Sequence, residues 1–259
     1  MRSVAATRYV TPLREGGSVP AIVEADDAGL YVVKFRGAGQ GLLALVAELV
    51  AGELARAAGL RVPEIVLVEF DAVLALNERD QEIRELLQRS AGLNLALDYL
   101  PGSITFDPAV GPPPLADEAS AIVWFDAFVT NIDREARNPN LLEWHRRLWL
   151  IDHGASLYFH HAWDGAMARA RSPFAQVKDH VLLPYATALP AAAERLAPRL
   201  RRPVLERVLA DVPDAWLAGE ARFANPAAHR AAYVDWLEER LSASSIFVEE
   251  AERARAMLV

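Results

Sequence analysis

The stretch Asn131–Ala155, NIDREARNPNLLEWHRRLWLIDHGA, decides how the rest of the chain is read. Asp133 and Asn138 stand in a D-x-x-x-x-N relation just past the apolar helical run Ala116–Val129 (ADEASAIVWFDAFV). The segments NLLEWH and LWLID, joined through Arg146–Arg147, read as a β-hairpin, and Asp152 ends its second strand ahead of His153–Gly154. Ligands on either side of one hairpin can converge on a single ion. Phosphoryl transfer needs such a set: one carboxylate to accept or orient the proton of an attacking hydroxyl, and a second carboxylate with an amide oxygen to hold magnesium against phosphates. Asp133 suits the first role, and Asp152 with Asn138 the second. Asp and Asn also gather in loops as caps and turn formers. Asp126 with Asn131 repeats the spacing, but Asp126 sits mid-helix in WFDAFV and is set aside.

Working upstream, Ser18–Glu24 (SVPAIVE) and Leu30–Phe35 (LYVVKF) read as two short strands about a turn marked by Asp26, Asp27 and Gly29. Lys34 lies inside the second. Strand lysines usually face solvent, yet Lys34 is flanked by Val32, Val33 and Phe35, and a buried ammonium needs a carboxylate or phosphate partner. A helix follows, with Leu42, Leu45, Val46, Leu49 and Val50 at three- and four-residue spacing and Gly59 placed to end it. It offers Glu48 or Glu53 as the partner, and periodicity does not choose between them. The intervening RGAGQG spaces its glycines G-x-G-x-G, with Leu42 where a dinucleotide-binding fingerprint wants glycine, and no G-x-x-x-x-G-K-[ST] occurs anywhere.

The remaining segments are VPEIVLVEFD as a strand pair or one long strand, Glu78–Ser90 as a charged amphipathic helix, LNLALDYL as strand, and a break from Pro108 to Pro114. From about Lys178 the chain reads as several helices, ending in an exposed one, FVEEAERARAM, with Glu and Arg at helical spacing. Strands first and helices later predict an α+β architecture of two lobes with an antiparallel sheet. Trp124, Trp144 and Trp149 are read as core and hairpin packing. His153, His160 and His161 lack an evident further ligand and are read as packing or capping groups.

The chain has 259 residues, 53% hydrophobic and 24% charged, enough for a sizeable core. Its net charge of −8 gives no general attraction to nucleic acid or anionic lipid, and Arg199, Arg201 and Arg202 are read as a solvated face. The absence of cysteine excludes disulfides and thiolate chemistry. The opening MRSVAATRYVTPLREGG has no apolar signal core, and Glu48, Glu53 and Arg56 interrupt the most apolar stretch, so the expected address is cytoplasmic, away from membranes.

With the ordered set of strand lysine, helix glutamate, loop Asp and Asn, and hairpin-terminal Asp-x-Gly assembled, the sequence resembles the HipA-like kinases, a bacterial branch related to protein kinases and phosphatidylinositol kinases. The resemblance runs through REGGSVPAIVE, KFRGAGQG, AELVAGELARAAGL, LNLALDYLPGS, NIDREARNPNLL and LIDHGASLYFHH, covering most of the chain. It implies a bilobal protein-kinase-like fold, with residues 1–100 as N-lobe and 101–259 as C-lobe. It casts Asp133 as catalytic aspartate, Asn138 and Asp152 as magnesium ligands, and Lys34 as the ATP-phosphate lysine. The E-x6-A-x3-G spacing of ELVAGELARAAG favours Glu48 as its partner. Asp98, Tyr99 and Leu100 fall at the adenine hinge, and Gly16, Gly17 and Ser18 at the phosphate-covering loop; an autophosphorylation role for Ser18 is weighed by analogy against an ordinary loop serine. ATP and Mg2+ are the implied cofactors, a protein Ser/Thr the implied acceptor, and a regulatory protein partner is in keeping with the family. A pseudokinase module and a small-molecule or lipid kinase are the alternatives. Two departures stand out: His153 replaces the aromatic of D-F-G, and Arg134 follows the aspartate where the better-known toxins have a small residue. The long toxins also carry an extra N-terminal subdomain, which is not expected in a chain of this length.

Overall fold

The computed structural model describes residues 1–13, 19–39, 41–76 and 78–258. Five strands close into a barrel: β1 (Ser3–Pro12), β2 (Ala21–Ala25), β3 (Leu30–Lys34), then, after helix α1 (Gly41–Ala58), β4 (Ile65–Phe70) and, after α2 (Gln81–Arg89), β5 (Gly92–Asp98). Their order is β1-β2-β3-β5-β4. β1 was not expected from the sequence. Most of its side chains are exposed or half-buried, so it shows no strong apolar alternation. It lies antiparallel to β2 and parallel to β4, Ser3 opposite Leu67, so the sheet is mixed rather than wholly antiparallel. Parallel neighbours require a long crossover, which here is the chain through β2, β3 and α1. The helix expected over Glu78–Ser90 starts later, because Asp80 caps it: its carboxylate accepts from the amides of Glu82 and Ile83.

Beyond the barrel come β6 (Ile104–Thr105), α3 (Ala116–Val129), and the expected hairpin of β7 (Leu141–Trp144) and β8 (Arg147–Leu150). His145 and Arg146 form its two-residue turn with φ of 49° and 60°, the left-handed pair that suits a twisted hairpin. Then follow α4 (Ala166–Ala170), α5 (Leu189–Leu196), α6 (Arg202–Ala210), α7 (Asp214–Leu217), α8 (Pro226–Ser242) and α9 (Ser244–Ala256).

Two apolar cores result. One fills the barrel and reaches α2, with Val23, Val33 and Val68 beside Phe35 and Phe70, whose rings meet edge-on at 5.4 Å. The larger joins α1 and α3 to the later helices. α1 is therefore buried around most of its girth, so its apolar residues exceed a single stripe. The terminal helix α9 is not the exposed element its charges suggest. Phe247, Val248 and Ala251 are buried, and Phe247 packs on Trp124 of α3 at 5.9 Å. Arg199 likewise does more than face water, donating to the Ala58 carbonyl at the end of α1 at 2.9 Å.

Candidate active site

The barrel and the helical half meet at a cleft of about 540 Å³. Lys34, Asp98, Tyr99, Leu100, Asn138 and Asp152 all line it, although they come from four separate stretches of sequence. Val32 and Leu97 of the barrel face Leu141 and Ile151 of the hairpin across it, giving apolar walls around a few polar groups. Gly16, Gly17 and Ser18 lie outside the described residues.

Lys34 reaches the cleft because β3 alternates, with Tyr31 and Val33 buried in the barrel and Val32 and Lys34 on the other face. Its ammonium bonds Glu48 Oε2 of α1 at 2.8 Å and also bonds Asp152 Oδ1. Glu48 is wholly buried, while Glu53 turns to Arg56 at 3.5 Å, which settles the partner left open by periodicity. Burial opposes charge on Lys34, but the carboxylates of Glu48 and Asp152 outweigh it and raise its pKa above the ordinary lysine value. For Glu48, burial alone would raise the pKa. The Lys34 ammonium, assisted by His153, holds it down to about 2.

Asp152 follows β8 in the left-handed region, at φ 53°. The next side chain, His153, is fully buried against Phe125 with Nδ1 3.7 Å from Glu48 Oε1. His160 is elsewhere, its Nδ1 2.9 Å from the Tyr233 hydroxyl. Among the described residues no three His, Asp or Glu side chains gather as a metal cluster.

Thr130 ends α3 with φ 54°, and the chain turns into the Asp133 loop. Asp133 Oδ2 accepts from Asn138 Nδ2 at 2.9 Å and from Asn140 Nδ2 at 3.2 Å. Asn131 Oδ1 accepts from the Asp133 amide at 3.1 Å. The D-x-x-x-x-N pair is thus in direct contact, and both Asn138 and Asn140 open onto the cleft. Among the described residues, Asp133 Oδ1 and Asn138 Oδ1 accept no hydrogen bond. Just past β5, the Asp98 amide donates to Glu64 O at 2.8 Å and the Tyr99 amide to Leu30 O at 2.9 Å, whereas the Leu100 amide is bonded to no described residue.

Sequence reasoning missed Asn140 and the roles of Arg134 and Asp126. Asp126 is wholly buried and accepts from Arg134 Nε at 2.6 Å, from Asn131 Nδ2 at 3.0 Å and from His180 Nε2 at 3.0 Å. A signal was present: one carboxylate inside AIVWFDAFV must have a partner if the run is buried. Nothing in the sequence marks His180.

The fold is similar to that of the Helicobacter pylori proinflammatory kinase CtkA, at TM-score 0.55 and 14% identity over 99% of each chain. Weaker likenesses are to the Golgi casein kinase, at TM-score 0.48 and 12% identity over 97% of this chain and 72% of that one, and to the Golgi casein kinase with Mn/ADP bound, at 0.49 and 11% over 100% and 75%. No protein of curated function matches the sequence. The HipA-like kinase family matches residues 7–245, nearly the whole chain. With its protein-kinase-like fold, this chain belongs to the HipA-like kinase family.

Proposed function

We propose that the protein is an ATP- and magnesium-dependent phosphotransferase whose acceptor is a Ser or Thr hydroxyl of a protein. The observation that carries the reading is the meeting, on one cleft, of the Lys34–Glu48 pair, Asp152, Asn138 and the open Leu100 amide. The cleft volume is within the usual range for small-ligand sites. Its apolar walls suit a purine, and the Leu100 amide offers a donor to the base.

The donor set also fits magnesium, a hard cation that takes one or two carboxylates and completes its shell with phosphates and water. Asp152 and Asn138 Oδ1 would hold it, and it would supply neutralisation of phosphate charge. Lys34, fixed by Glu48, would present its ammonium to the phosphates, and Asp152, which bonds Lys34 here, would be the carboxylate that holds the metal. Asp133 keeps Oδ2 committed to Asn138 and Asn140 and leaves Oδ1 to orient the acceptor hydroxyl and receive its proton. The family and the protein-kinase-like fold support a protein acceptor. A net charge of −8 disfavours anionic lipid surfaces, and no helix among the described residues is long and apolar enough to cross a membrane.

The test incubates the protein with Mg-ATP and a dephosphorylated mixture of cell proteins. Intact-mass and phosphopeptide analysis are run beside Asp133→Asn and Asp152→Ala. Phosphate on Ser or Thr with wild type only is the expected result, each variant losing on the order of 10²–10⁴-fold in rate. ATP-dependent thermal stabilisation without transfer would favour a regulatory nucleotide-binding module. The absence of both transfer and stabilisation would sink the reading.

A further inference from the structure

Arg134 has no part in the roles above, yet its side chain is wholly buried next to Asp133 in the loop that follows α3. Its Nε donates to Asp126 Oδ2. Its Nη1 points at the carbonyls of Asn140, Pro139 at 3.5 Å and Ile151 at 3.3 Å. Asn140 is the residue that bonds Asp133, and Ile151 is the residue before Asp152. The Ile151 amide in turn donates to Asn140 O at 3.1 Å. One guanidinium therefore touches the neighbours of both carboxylates.

Its anchor is firm. Besides Arg134, Asp126 takes Asn131 Nδ2 on Oδ1 and His180 Nε2 on Oδ2. The Leu182 amide donates to His180 Nδ1 at 3.0 Å, which leaves Nε2 as the ring's donor toward Asp126. Arg134 is then the cation that balances Asp126. Burial alone would raise the Asp126 pKa, but the Arg134 guanidinium prevails and holds it below the usual carboxylate range. Such a pair is a weak device for stability, since apolar replacements are often as stable. What a guanidinium adds is a rigid fork of donors in fixed directions.

We propose that Arg134 is a positioning residue: anchored on Asp126, it holds the carbonyls of Asn140 and Ile151 together and thereby sets Asp133 against Asp152. The inference rests on the phosphotransferase reading. Lysine at this position keeps a cation for Asp126 but is a point charge on a flexible stem, and does not hold Asp126 and the two carbonyls from separate nitrogens as Nε and Nη1 do.

The experiment compares wild type with Arg134→Lys by steady-state phosphate transfer and by amide hydrogen exchange of the whole protein. Because misplacing reacting groups by an ångström costs on the order of 10²-fold, kcat is expected to fall by about that factor. The KM for ATP is expected to change less than kcat does, since the Lys34–Glu48 pair and the Leu100 amide are untouched by the change. Exchange should rise together in residues 138–140 and 150–153, with the rest of the protein unchanged. A folded Arg134→Lys protein with wild-type kcat, or with exchange unchanged in both segments, overturns the proposal. If that variant does not fold, the neutral pair Asp126→Asn with Arg134→Gln leaves no unpaired charge and is judged by the same two readouts. If wild type itself transfers no phosphate, the phosphotransferase reading fails by that result, and exchange alone decides the role of Arg134.

Discussion

Glu48→Gln isolates the buried ion pair at the base of the cleft. The change keeps shape and volume but removes the charge that faces Lys34 at 2.8 Å. In the folded protein the Glu48 carboxyl sits at about 2 against an ordinary 4.5. At about 1.36 kcal/mol per tenfold change in proton affinity, that difference is on the order of 3 kcal/mol of stability. Because the folded-state pKa is the lower one, this contribution is whole above about pH 5 and is lost as pH falls through 2. At pH 3 the two-state expression leaves a loss of ~2 kcal/mol relative to pH 6. The assay is urea unfolding of wild type and Glu48→Gln at both values. Wild type should lose ~2 kcal/mol more than the variant between pH 6 and pH 3. At pH 6 the variant should be the less stable, because Lys34 keeps only the more exposed Asp152 as partner. Equal pH dependence of the two proteins would refute the assignment of Glu48 as the charged partner of Lys34.

Two further predictions concern what holds the cleft in shape. Gly52 lies one turn beyond Glu48 on the same face of α1, and a Cβ there would stand 2.4 Å from Ile65 Cδ1. Gly52→Ala should cost ~1–3 kcal/mol by overpacking, seen as a lower Tm, and should weaken ATP-dependent stabilisation by pushing Glu48 away from Lys34. An unchanged Tm and nucleotide response would count against close packing of α1 on β4. Arg240 is buried in α8 with no carboxylate partner among the described residues, and burial lowers its pKa to about 9. It donates to Ala127 O at 2.7 Å, Ala170 O at 2.9 Å and Ser172 O, and lies over the Phe247 ring. Arg240→Met strands these carbonyls and should cost about 3 kcal/mol, read as a Tm lower by roughly 6–12 °C for a chain of this size. A Tm within about 2 °C of wild type would contradict that account.

Much of the fold was legible because most of its elements announce themselves locally. Val32, Val33 and Phe35 mark a buried strand, the three- and four-residue spacing from Leu42 marks a helix, and a pair of apolar segments around Arg146 marks a hairpin. β1 escaped because its half-exposed residues earn their place only by pairing with β4, some sixty residues away. α9 was misjudged because its charges are conspicuous and its apolar face is narrow, and only the packing partners in α3 reveal which face is inside.

The sequence by itself determined the chemical inventory: a lysine in an apolar strand, candidate glutamates one helix later, and an Asp–Asn–Asp set bracketing a hairpin. These are local patterns of residue type and spacing, fixed by helix and strand periodicity. The tertiary structure decided which of them meet. It chose Glu48 over Glu53 by rotating one face of α1 toward β3, and it brought Asn140 to Asp133. It also turned Asp126, idle by its position in a helix, into the anchor of Arg134 by delivering His180 from a distant segment. A buried charge is stable only where its partners converge, and convergence in space is a property of packing that spacing along the chain does not encode.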